Sequence, residues 1–161
     1  MDGDAALSTT SLAISALPYD DPVSAVLVRE LDFDLNERYE DGAAVKADPE
    51  QFLESNRGRF FVARLGEDTV GCAGIRREND AAAELKRMYV RPSARGHGIA
   101  RALLATCEGA ARDLGYAELW LETGNMQPEA IALYQSSSYE RIARFGQFAC
   151  ADDALHLGKV L

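Results

Sequence analysis

Three features of this sequence predict an α+β chain, a three-layer sandwich with a mixed, mostly antiparallel sheet between helices. Apolar, β-prone runs follow one another closely at Phe60–Ala63, Val70–Ile75 and Ala83–Val90, with turn residues between them. Helix-periodic segments flank this meander, one opening at Pro22 and one at Ile99. The second joins Ala83–Val90 to a further strand at Ala117–Leu121, a strand-helix-strand unit beside antiparallel hairpins.

Each element has a local reason. Ser8–Leu17, rich in Thr, Ser, Ile and Leu, reads as the first strand. Asp20 or Asp21 caps a helix whose first turn takes Pro22, and Val23, Val26, Leu27, Leu31 and Leu35 recur at helical spacing. Asp48-Pro49 starts a short second helix over Phe52 and Leu53. Gly66-Glu67-Asp68 marks a hairpin turn, and the polar stretch Arg76–Asp80 a loop. Pro92–Gly98 is a loop of small and basic residues. The helix after it, with Ile99, Ala102, Leu103, Ala105 and Ala110 on one side, ends near Gly115. Pro128–Ser136 is the last helix, and Tyr139–Ala143 and Ala154–Val160 are the closing strands.

The 161 residues, 47% of them hydrophobic, suffice for one domain over residues 1–161 with a core of its own. No repeat or linker divides them. No apolar run has the length of a membrane span, and the acidic start Met1-Asp2-Gly3-Asp4 is unlike a secretory signal, so a cytoplasmic protein is expected. The net charge of −9 repels nucleic acid. Cys72, Cys107 and Cys150 match no metal or redox spacing and read as buried thiols. His97 and His156 lie far apart, so no catalytic metal is expected.

The most informative segment runs from Met88 to Leu104: strand, glycine-containing loop, helix. Unpaired N–H groups and the dipole at a helix start attract anions, and Gly96 and Gly98 let a phosphate approach the backbone. Arg95 and Arg101 add positive charge. A dinucleotide fingerprint fails because Arg101 stands where its third glycine or alanine belongs. A P-loop fails because Gly158-Lys159 is followed by Val160. Arg95-x-x-Gly98-x-Ala100 resembles the acyl-CoA pyrophosphate signature of the GNAT superfamily. Leu121-Glu122-Thr123-Gly124-Asn125 followed by Ala130-x-x-Leu133-Tyr134 is similar to its second motif, in the same order and at the same separation. The resemblance covers Phe60 to about Ile142 strongly.

That resemblance implies a fold with strands 4 and 5 splayed into a cleft for acetyl-CoA. It implies transfer of an acetyl group from this co-substrate to a primary amine, direct in a ternary complex, with the acceptor a small molecule or a peptide. A non-catalytic acyl-CoA-binding module is the alternative. The cofactor-binding residues implied are Met88, Tyr89 and Val90 along the strand, Arg95, Gly96, His97, Gly98, Ile99, Ala100 and Arg101 around the pyrophosphate, and Asn125 and Tyr134. Tyr134 corresponds to the general acid. Proton transfer from an ordinary tyrosine (pKa about 10) to a thiolate (about 8.5) is uphill by roughly 2 kcal/mol, so a strengthening hydrogen bond is the sounder role. Glu84 is either the general base or a strand glutamate paired with Lys86 or Arg87, and Glu122 is the less favoured base. Ser138 stands where a glycine is usual. Acidic residues Asp32, Asp34, Glu37 and Glu40 mildly favour a cationic acceptor, and a homodimer is an expectation from relatives.

Overall fold

The computed structural model describes residues 10–39 and 46–161. Strands β1 (Leu12–Ala16), β2 (Arg59–Leu65), β3 (Asp68–Arg77), β4 (Ala82–Val90), β5 (Glu118–Gly124), β6 (Glu140–Arg141) and β7 (Ala154–Val160) form one sheet in the order β1-β2-β3-β4-β5-β7-β6. All neighbours are antiparallel except β4 and β5. Helices α1 (Pro22–Arg38), α2 (Ile99–Asp113) and α3 (Pro128–Ser136) cover it. The α+β expectation is met. Ser8, Thr9 and Glu40 lie outside the described residues.

Asp21 caps α1 by accepting a hydrogen bond from the Val23 N–H at 2.8 Å, with Pro22 in the first turn. Its buried stripe is Ser24, Leu27, Val28 and Leu31. Val26, expected on that stripe, is exposed, because the inward face is set one residue along by the sheet. The expected helix at Asp48-Pro49 is a 3-10 helix, Pro49–Phe52, followed by another over Glu54–Asn56. Phe52 stacks on Tyr19 and meets Phe60 edge-on, and a side chain at Gly74 would strike both phenylalanine rings. The β2–β3 hairpin turns on Gly66-Glu67 with Gly66 at φ +59°, the place where a tight turn wants glycine. β3 runs on to Arg77, two residues into the expected loop, and the expected strand at Tyr139–Ala143 shrinks to Glu140–Arg141.

Residues alternate across the sheet. Ala83, Leu85, Leu119 and Leu121 join a core with α2 and Tyr134. Phe60, Val62, Cys72 and Tyr89 join a second core with α1. Glu84, Lys86, Trp120 and Glu122 therefore project toward the α1 side. Cys72 and Cys107 are fully buried as expected, whereas Cys150 is exposed in the loop before β7.

Two features of β4 open the sheet. It pairs with β5 only through Ala82–Glu84, opposite Glu118–Trp120. From Leu85 on it leaves its neighbour, the splay the resemblance implies. It also bulges: Cys72 faces Tyr89 and Gly74 faces Lys86, so Ala73 alone opposes Arg87 and Met88. Arg87 takes φ +60° to allow this. An arginine in the left-handed region is uncommon and is held here by a 2.7 Å ion pair to Asp32 on α1.

Candidate active site

The splay leaves a cleft with two arms. The smaller, about 290 Å³, is bordered by Met88, Tyr89, Val90, Arg95 and the loop glycines on one side and by Glu129, Ala130 and Leu133 of α3 on the other. The larger, about 530 Å³, lies on the α1 side of the sheet, between Leu35, Tyr39 and Gln51 and the β7-side residues Phe148 and Asp153. Leu31, Met88 and Gln127 border both arms, so the arms meet at the bulge.

The smaller arm ends at the start of α2. Gly96 and Gly98 have φ of +80° and +76°, and a side chain built on either would meet nothing within 4 Å. Glycine is therefore required by the backbone turn, and the space beside it is open. Gly98 is the N-cap of α2 and no side chain caps the helix, so its first N–H groups point into the arm. Ile99 and Ala100 line it, as does Arg101, whose guanidinium donates to Ser136 Oγ and Ser137 Oγ on α3. Arg95 folds back to donate from Nε to the Val90 carbonyl at 2.9 Å. Two expected contacts are placed elsewhere. His97 is exposed, with Nδ1 beside the Ala94 and Arg95 carbonyls, and lies outside the arm's lining. Asn125 is exposed and offers only its backbone N–H, to the Asp153 carbonyl. The signal for both was a motif position, which fixes the backbone and not the side-chain direction.

At the junction Tyr134 of α3 is 5% exposed and lines the larger arm. Its ring packs edge-on to Tyr139, and its hydroxyl has no hydrogen-bond partner among the described residues. Burial pushes this phenol well above the ordinary tyrosine range, so it stays protonated. Among the described residues it is the one hydroxyl of α3 without a hydrogen-bond partner, and it faces the larger arm.

The two candidate bases exchange places. Glu84 is 3% exposed. Its Oε2 accepts from Arg76 Nε and Nη2 at 2.9 and 2.8 Å, and its Oε1 lies 3.4 Å from Lys86 Nζ. It does not line the cleft. Glu84, expected as the base, sits where β4 and β5 are still paired, below the opening, and two cations hold it. Glu122, two residues beyond that pairing, lines the larger arm. Burial raises its carboxyl to about 7, with Lys86 as the nearest opposing charge. The sequence cue was period-2 spacing from Trp120, the residue paired with Glu84; what was missing was the point at which the strands part.

The roof of the larger arm comes from a segment to which no role was assigned. Arg144 donates to the Ala149 and Ala151 carbonyls, folding residues 144–151 into a compact loop. Buried His156, opposite Glu122 on β7, lies edge-on to Phe145 and places Nε2 3.3 Å from the Phe148 carbonyl. This holds Phe148 over the cleft. On the facing wall, two acids of α1 are taken up internally: Asp32 by Arg87, and Asp34 by Arg38. Glu37 stays exposed.

The profile of the Acetyltransferase (GNAT) family matches residues 26–139, the stretch that carries α1, the bulge, the loop and Tyr134. The chain belongs to the GNAT acetyltransferase family. Among its relatives, the IAA acetyltransferase of Azospirillum brasilense is 39% identical over 104 residues, 64% of this chain and 68% of that protein. Human N-acetyltransferase 8 is 37% identical over 95 residues, 56% of this chain and 42% of that protein, so the match spans less than half of that relative. A chain from Klebsiella pneumoniae described as a candidate acyl-CoA N-acyltransferase superposes with a TM-score of 0.78 at 27% identity, covering 94% of this chain and 99% of its own. A GNAT family acetyltransferase from Elizabethkingia anophelis, solved with acetyl-CoA bound, has a TM-score of 0.69 at 20% identity over 93% of this chain and 98% of its own, a likeness of fold. Among the described residues of this GNAT chain, no helix is long and apolar enough to cross a membrane.

Proposed function

We propose that this GNAT chain transfers an acetyl group from acetyl-CoA to a primary amine by direct attack in a ternary complex. One observation carries the reading: a phosphate-sized glycine cradle and an unengaged tyrosine hydroxyl border the two arms of one cleft, on either side of a strand bulge. The cradle, with no side chain in its way and helix N–H groups facing in, fits a pyrophosphate. The exposed edge of β4 after Glu84 suits an extended amide-bearing arm that pairs with it as an added strand. The bulge, where Ala73 alone opposes Arg87 and Met88, offers a backbone N–H near Met88 for the developing oxyanion.

The chemistry follows from proton bookkeeping. An alkylamine with pKa near 10.4 arrives as an ammonium and must lose a proton to become a nucleophile. Glu122, at about 7, is ionised in a useful fraction at neutral pH and accepts that proton. As the new C–N bond forms and the C–S bond breaks, Tyr134 donates a hydrogen bond that strengthens on the leaving thiolate, and the thiolate takes its proton from solvent or from the nitrogen. The balance is ammonium plus thioester giving amide, thiol and one released proton. Among the described residues no cysteine lines either arm: Cys72 and Cys107 are buried with their thiols pushed well up by desolvation, and Cys150 is exposed in the loop before β7.

The test is calorimetric titration with acetyl-CoA of the parent and of Gly98→Glu. The expected outcome is micromolar binding by the parent and none by the variant, in which the new side chain strains a φ of +76° and puts a carboxylate in the cradle. A folded parent that binds no acetyl-CoA refutes the proposal.

A further inference from the structure

We infer that the acceptor carries a carboxylate beside its amine, as an α-amino acid does, and that Lys86 is the residue that selects it. The inference rests on the acetyl-transfer reading above and names the substrate class for the same cleft.

The geometry begins in the register. Glu84 is opposite Trp120 at the last paired position of β4 and β5. Two residues on, Lys86 and Glu122 stand on the same face of the two strands, one on each side of the opening, and both line the larger arm. A cation and a carboxyl group thus face each other across the gap beside the bulge. A zwitterion matches this pair: its ammonium meets Glu122, and its carboxylate meets Lys86.

Of the other cations that line the larger arm, Lys46, Arg76 and Arg87, both arginines are committed. Arg76 gives Nε and Nη2 to Glu84 and Nη1 to Gln51 Oε1 at 2.9 Å. Arg87 is bound to Asp32 at 2.7 Å. Lys86 is different. Its Nζ has one long contact, 3.4 Å to Glu84 Oε1, and hangs 5.7 Å from the centroid of the Phe148 ring. An ammonium has three donors, so Lys86 keeps capacity for an incoming carboxylate. The Glu84 carboxylate is already shared with Arg76, so it neutralises Lys86 only in part. A simple diamine would bring a second cation against it. Asp34 and Asp32 of α1 are spent on Arg38 and Arg87.

The experiment measures CoA release with matched pairs of α-amino acids and the amines left by their decarboxylation, for the parent, Lys86→Met, Lys86→Gln and Lys86→Arg. Thermal melts verify that each variant is folded. The expected result is a kcat/KM for the best amino acid at least roughly tenfold above that of its amine, the effect of one charge-assisted hydrogen bond. In Lys86→Met and Lys86→Gln that ratio falls to about twofold, mainly through the acceptor KM, and Lys86→Arg restores most of it. A parent that prefers the amines, or a preference that survives in Lys86→Met and Lys86→Gln, overturns the inference. So does equal loss on both substrate classes, which marks Lys86 as a structural partner of Glu84. Acetyl-CoA binding with no amino acid acetylated also overturns it, while leaving the cofactor reading standing. Absent acetyl-CoA binding refutes the function itself.

Discussion

At the scale of single residues, two glutamates, one at the end of a strand pairing and one two positions beyond it, differ in what surrounds them. Glu84 has its charge fixed by Arg76 and Lys86 in the closed part of the sheet, and Glu122 meets the cleft half desolvated. A base is useful only when ionised, so activity is expected to rise with pH through about 7 and to level off above it. Glu122→Gln removes that rise and lowers kcat by roughly 100-fold or more, in the usual range for losing a general base. Glu84→Gln, by contrast, leaves the pH midpoint near its parent position while lowering the melting temperature, since the half-buried Arg76 loses its carboxylate partner. A pH profile of kcat for both variants checks this. Tyr134 and Glu122 both lie in motif positions, yet only the solvent each loses on folding tells which one holds and which one takes a proton.

At the scale of elements, the ends of helices show where local sequence rules hold and where they are overridden. Asp21 and Asp48 cap as their position dictates. Ser138 does not follow the rule. It takes φ +69°, and the α3 end forms the paired bonds of a glycine-type stop: Tyr139 N–H to the Tyr134 carbonyl at 3.1 Å, and Ser138 N–H to the Gln135 carbonyl at 3.3 Å. The geometry survives because Tyr139 beyond it is anchored, donating its hydroxyl to buried Glu108, which also binds Lys159. A left-handed serine costs about 1–2 kcal/mol, partly offset by glycine's larger unfolded-state entropy. Ser138→Gly is therefore expected to stabilise the protein by about 0.5–1 kcal/mol, seen as a melting shift of roughly 2–4 °C per kcal/mol, with the site geometry unchanged.

At the scale of the molecule, the cleft is assembled from elements far apart in sequence. α1 is bound to the sheet and loop by Glu30–Arg91 and Asp32–Arg87, and to α3 by Arg38, which pairs with Glu129 and donates to the Met126 carbonyl. Tyr39 closes over Gly124, where any side chain would collide with its hydroxyl. A ligand lying along β4 from the bulge to the α2 start touches α1, β4, α2 and α3 at once. Saturating acetyl-CoA at about 100 times its Kd is expected to add about 2.7 kcal/mol. For a chain of this size that raises the melting temperature by roughly 5–10 °C. A melt that does not move with acetyl-CoA would mean that the four elements do not share a ligand.

The sequence by itself determined the α+β class, the order of the main elements, the glycine loop before α2 and the tyrosine of α3. These depend on chemistry within a few residues: period-2 and period-3.6 burial, caps, turns, and backbone freedom at Gly96 and Gly98. Only the tertiary structure decided which glutamate faces the cleft, that Lys86 stands across from it, that Phe148 roofs it, and that Asp32 and Asp34 of α1 are spent on arginines. Those facts turn on where two strands stop pairing, on the bulge at Arg87 and on the loop before β7. Pairing partners distant in the chain set all three, and no local pattern encodes the distance between them.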